Sequence, residues 1–134
     1  MNEDEFKRRT LALGTSVIRL CEGLPSGRAT EVIARQLIRS ATSVGANYRA
    51  SCRGRSLPEI IAKLSIVEEE ADETAYWLEV LAEAGLAPAP VVEPLIDETI
   101  QLLRMTVASK KTLKARAGVK GFARTESSIV NRES

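Results

Sequence analysis

The chain has 134 residues, 44% of them hydrophobic and 28% charged, with a formal net charge of +1 and no histidine. This is the size and make-up of one ordinary globular domain with its own core. Without histidine, Ser/His and Cys/His catalysis are excluded.

Five aromatics (Phe6, Tyr48, Tyr76, Trp77 and Phe122) leave the core to aliphatic residues, which suits helices better than packed sheets. The small net charge hides a strong segregation. Residues 1–63 carry eleven Lys/Arg against six acids, residues 64–103 carry ten acids and no Lys or Arg, and residues 104–125 carry seven Lys/Arg and no acid. No apolar run approaches the roughly 18 residues of a membrane span, so no membrane association is expected. The two cysteines, Cys21 and Cys52, show no CxxC spacing, and MNEDEFKRR is followed by no apolar signal region. A reduced, cytoplasmic protein is expected.

The first predicted helix runs from about residue 4 to 22. Phe6, Leu11, Leu13, Val17, Ile18, Leu20 and Cys21 recur at three- and four-residue spacings, and Asn2 or Asp4 can cap it. The GLPSG segment at 23–27 ends it in a short loop. The second helix starts near Thr30 as N-cap and buries Ile33, Leu37, Ala41, Val44 and Tyr48. On the same wheel Arg35, Arg39, Arg49 and Arg53 cluster within about 80°, nearly opposite that stripe. Gly45 costs about 1 kcal/mol against alanine inside a helix, which predicts a packing reason for it.

Ser56, Pro58 and Glu59 form a helix start with the elements of a capping box. The third helix runs about 27 residues, with an inner seam of Ile60/Ile61, Leu64, Val67, Ala71, Thr74/Ala75, Leu78 and Leu81. Gly85, Pro88 and Pro90 stop it. Outside the seam lie two flanks. Ser65, Glu69, Asp72, Tyr76, Glu79 and Glu83 make a mainly acidic face; Ile66, Glu70, Glu73, Trp77 and Val80 make a face expected to meet another helix or another subunit. The fourth helix begins around 91–94 and runs to about 117. Leu95, Ile96, Thr99, Leu102, Leu103, Thr106 and Val107 form its apolar side, and Lys110, Lys111, Lys114 and Arg116 its basic end. The expected organisation is a helical bundle over 1–117 and a flexible polar tail over 118–134.

Candidate chemistry is sparse. Paired acids on long helices suggest a di-metal centre, but such centres need Glu-x-x-His on inward faces, and the acids at 68–73 mostly face away from the seam. No cofactor, metal or catalytic residue is therefore expected. RGRS at 53–56 has one glycine and follows no strand, so it is no phosphate loop. An antiparallel turn near residue 54 sets Arg39 opposite about residue 70. Arg39 is then the natural ion-pair partner of Glu69, Glu70 or Glu73, within or between subunits. The remaining cations are candidate phosphate contacts: Arg35, Arg39, Arg49, Arg53 and Arg55 first, then Lys110, Lys111 and Lys114.

RSATSVGANYRAS (39–51), RGRS (53–56) and AKLSIVEEEADETAYWLEVL (62–81) together resemble the four-helix-bundle proteins encoded in bacterial 23S rRNA intervening sequences. Accessory proteins of diversity-generating retroelements are similar to that family as well. The resemblance covers about residues 5–115. It implies an all-α, antiparallel up-down four-helix bundle, assembled as a homopentamer, without enzymatic activity, and binding nucleic acid or nucleoprotein through a positive surface. The expected function is that of a homo-oligomeric RNA- or DNA-binding protein. The rival expectation is a protein-interaction scaffold whose arginines form subunit salt bridges.

Overall fold

The computed structural model describes residues 2–118, and the 119–134 part of the expected polar tail lies outside the described residues. Four helices fill the described residues: α1 (Glu3–Glu22), α2 (Arg28–Cys52), α3 (Leu57–Glu83) and α4 (Ala89–Ala117). Each packs on its neighbours in sequence, α4 also closes on α1, and the backbones of the diagonal pairs α1–α3 and α2–α4 stay more than 8 Å apart between Cα atoms. That is a square bundle. Its direction follows from cross-helix partners whose numbers run oppositely. Phe6 stacks on Tyr48 at 4.2 Å between ring centroids, while Thr42 lies beside Gly14 and Thr10 beside Gly45. Between α2 and α3, Ser40 meets Thr74 while Gly54 of the connecting turn lies beside Ile60. Connections of four or five residues leave neighbouring helices no choice but to run antiparallel.

Local chemistry fixes the ends. The Asn2 side chain accepts the Glu5 N–H at 2.7 Å, and Glu3, Asp4 and Glu5 occupy the positive first turn of α1. Ser56 caps α3 by accepting from Glu59 N–H at 3.3 Å. The Glu59 carboxylate accepts from the N–H of Arg55 rather than from Ser56, so the expected capping box closes one residue early. At the far end, Gly85 takes φ 73°, and the N–H groups of Leu86 and Gly85 donate to the carbonyls of Leu81 and Ala82 at 2.9 and 3.1 Å. This left-handed cap satisfies carbonyls that the helix leaves open. Helix α2 differs from expectation: it starts at Arg28, Gly27 precedes it, and Thr30 is buried inside its first turn with no capping bond.

The core is aliphatic. Leu13, Val17, Leu37, Leu78, Leu81, Val92 and Leu102 are fully or almost fully buried in one cluster with Phe6, and Val44, Val67 and Ala71 form a smaller one. The α3 seam from Leu64 to Leu81 is buried as its spacing requires. Ile18 and Leu11, grouped with the core by spacing alone, instead face outward, with Leu11 56% exposed. Thr10 and Gly14 occupy the inner positions in their place. The reason is backbone proximity: a Cβ on Gly45 would stand 3.1 Å from the Thr10 hydroxyl, so α1 and α2 meet through small residues. Gly45 has the packing role its helix-interior cost demanded.

Leu78→Ala should therefore cost about 2–5 kcal/mol, because a side chain with no exposure leaves a cavity. Leu11→Ala should change stability by less than about 0.5 kcal/mol. Urea unfolding midpoints of the two variants check the contrast.

Candidate functional site

The bundle brings the N-termini of α1 and α3 together with the C-termini of α2 and α4. A cleft of about 420 Å³ at that end is lined by residues of all four helices, among them Glu3, Tyr48, Cys52, Leu64, Thr112 and Arg116. Around it the sequence places Lys7, Arg8, Arg49, Arg53, Arg55, Lys63, Lys110, Lys111, Lys114 and Arg116, against the carboxylates Glu3, Asp4, Glu5, Glu59 and Glu68. The opposite end has Glu22, Glu31, Glu79, Glu83, Glu93 and Asp97 against Arg19, Arg28 and Arg35. The charge blocks of the sequence thus become a charge polarity along the bundle axis. Four antiparallel helices largely cancel each other's dipoles, so side chains set this polarity. Inside the cleft, burial and then the neighbouring Cys52 thiol push the Tyr48 phenol up, keeping its hydroxyl neutral. Burial likewise pushes the Cys21 thiol up, at the other end of the core.

The candidate phosphate contacts separate into groups. Arg49, Arg53, Arg55 and Lys111 are exposed at the basic end, and no ion pair holds them among the described residues. Lys110 is also there, but its ammonium is 3.1 Å from Glu68 and largely covered; Lys114 is half-buried. Arg35 is exposed near the acidic end.

Arg39 is spent within the chain. Its guanidinium forks onto Glu70 at 2.9 and 3.3 Å and also donates to Glu73, whose carboxylate accepts the Trp77 indole N–H at 3.2 Å. The hydrogen bonds it donates to both carboxylates, Glu70 first, favour its charged form. Burial alone would raise the Glu73 carboxyl, but the bonds from Arg39 and Trp77 outweigh it and hold it below the ordinary range. Of the α3 flank expected to meet a neighbour, Glu70 and Glu73 are therefore engaged by α2 of the same chain. Trp77 packs against the core, with Ile66 and Val80 half-buried. A second clamp was not apparent from the sequence. Arg9 donates to Glu98 at 2.9 and 2.7 Å and to Gln101 at 3.0 Å, closing the thin α1–α4 seam. Charge spacing cannot signal it, because its partners lie 89 and 92 residues apart.

Among the described residues no cluster of three His, Cys, Asp or Glu could hold a metal ion, and no helix is long and apolar enough to cross a membrane. Fold and surface together define an all-helical bundle with a polarised, basic-ended exterior. The chain belongs to the 23S rRNA-intervening sequence protein family, whose model matches residues 3–108. A crystal structure of a protein of unknown function from the S23 ribosomal protein family of Bacteroides thetaiotaomicron VPI-5482 is similar. It shares 28% identity, covers 83% of this chain and 99% of its own, and superposes with a TM-score of 0.77. No functionally curated protein matches the chain.

The Arg39 clamp has a testable pH signature. A carboxylate whose pKa is depressed on folding adds stability above its unfolded pKa, about 4.3, and loses it as pH falls through the lower folded value. Arg39→Gln should cost about 1 kcal/mol or less near neutral pH, as for a part-exposed pair. The cost should shrink at pH 3, as read by urea unfolding of both proteins at the two pH values.

Proposed function

We propose that this protein is a non-enzymatic, homo-oligomeric, cytoplasmic nucleic-acid-binding protein whose basic bundle end contacts phosphates. The observation that carries this reading is the convergence of unpaired cations from separate elements at one end. Arg53 and Arg55 come from the α2–α3 turn, and Lys111 and Arg116 from the exposed side of α4. Such a surface attracts a polyanion without reading its sequence. Structured RNA is the first ligand to test, given the ribosomal element for which the family is named. A homopentameric ring, which the family resemblance implies, would repeat the basic end around one rim and raise the local potential.

Exposed positions can be changed without disturbing the core. Replacing Arg55, Lys111 and Arg116 together with glutamine should weaken binding to a structured RNA by at least tenfold. The slope of log affinity against log salt should flatten by about one for each phosphate contact removed. Anisotropy titrations of wild type and triple variant, at two salt concentrations and with a duplex DNA alongside, supply the reading. Binding that is unaffected by the three changes, or absent at low salt, would overturn it.

A further inference from the structure

Two exposed stripes on this bundle are complementary in spacing, charge and shape. The outward side of α2 carries Arg35, Arg39, Thr42, Ala46, Arg49 and Arg53, at alternating steps of four and three residues. The outward side of α3 carries Ser65, Glu69, Asp72, Tyr76, Glu79 and Glu83, at the same alternation and over the same length. That step is the heptad rhythm by which two helices lie along each other. Any side of a helix has that step; what marks these two sides is their content, basic on α2 and acidic on α3.

The centre of each stripe supplies the fit. Tyr76 stands 57% exposed between acids. Thr42 and Ala46 border a groove of about 370 Å³ between α1 and α2, floored by Gly14 and Gly45 and walled by the out-turned Leu11 and Ile18. The groove can take an aromatic ring. Its rim hydroxyls on Thr15 and Thr42 already donate to carbonyls of their own helices, so their oxygens are free to accept from a phenol. Whether the two helices run parallel or antiparallel, matching the stripes end to end puts Tyr76 over Thr42 or Ala46. In both cases arginines lie against carboxylates on either side. No ion pair holds Arg35, Arg49 or Arg53, nor Glu69, Asp72, Glu79 or Glu83, among the described residues.

We infer that the occupant of the α1–α2 groove is Tyr76 of a second copy of this chain, with the α2 stripe of one copy along the α3 stripe of the next. The inference rests on the homo-oligomeric reading above and names its contact. Charge selects the pairing: α2 against α2 sets arginines on arginines, and α3 against α3 sets acids on acids. The contact is therefore heterologous. Each copy offers one stripe and receives the other, so copies continue head to tail into a ring or a fibre. Arg55, Lys111 and Arg116 are not members of either stripe, which leaves them for phosphate.

The test uses the full chain with Cys21 and Cys52 changed to serine. Co-expressed Asp72→Cys and Ala46→Cys proteins, or Asp72→Cys and Thr42→Cys proteins, should form an inter-chain disulfide on mild oxidation. One of the two combinations should react, according to helix direction, while each variant alone stays uncross-linked. Tyr76→Glu should sediment as a monomer with an unchanged helical melting profile. A wild-type protein that sediments as a monomer would overturn the oligomeric reading and this contact with it. An intact oligomer in which neither combination cross-links, or in which one variant links to itself, would overturn the contact alone.

Discussion

The register between α2 and α3 is the constraint on which the other placements depend. A turn of four residues, Arg53 to Ser56, leaves these helices no freedom but to fold back. Turn length alone does not stop one helix from sliding along the other, since an aliphatic seam tolerates small shifts. The buried Ser40–Thr74 hydrogen bond at 3.0 Å and the fork of Arg39 onto Glu70 do. A slip of one turn would part the two buried hydroxyls, whose lost contact costs more than the modest gain from forming it, and would give up the part-exposed Arg39 pairs as well. With that register held, the basic turn faces the same way as the end of α4, and the α1–α2 groove faces away from the acidic stripe.

Much of the fold was legible because helix periodicity and punctuation are local. The α3 seam, the Ser56 start, the Gly85 stop and the Arg39 clamp all follow from spacing and turn chemistry. Reading failed where a neighbour's size decides. Leu11 and Ile18 look like core residues on a wheel. Only the close approach of α1 to α2 at Gly14 and Gly45 turns them outward. Thr30 looks like a cap and is an interior residue, because α2 begins one turn earlier on a bare glycine. The Arg9–Glu98 clamp joins helices far apart in sequence, so no local pattern announces it.

The candidate site was legible as composition and illegible as geometry. The row of arginines on α2 was visible as one stripe, but three dimensions divide its members among different tasks. Arg39 is committed to the α2–α3 seam, Arg35 belongs to the acidic end, and Arg53 stands with the cations of α4. Lys110, close in sequence to Lys111, is covered and paired with Glu68. Charge runs do not distinguish a spent cation from an available one, since the difference lies in which carboxylate the fold brings near.

That division is what would let a chain with a net charge of only +1 bind a polyanion, as proposed. A uniformly mixed surface of that net charge would exert little field beyond a Debye length of about 8 Å at physiological salt. Sorting the same charges toward opposite ends leaves a basic face opposed nearby only by a few carboxylates such as Glu59 and Glu68, while Glu79 and Glu83 of α3 lie at the far end. Assembly through the α2 and α3 stripes would sharpen this further. It would set the α2 arginines against the α3 acids, and the exposed cations that remained would include Arg55, Lys111 and Arg116 of the basic end. Self-association would then draw on Arg53 of that end, and phosphate binding would keep Arg55, Lys111 and Arg116, so the two overlap at one arginine. A chain can so carry an acidic helix in its middle and still present a basic face to its ligand.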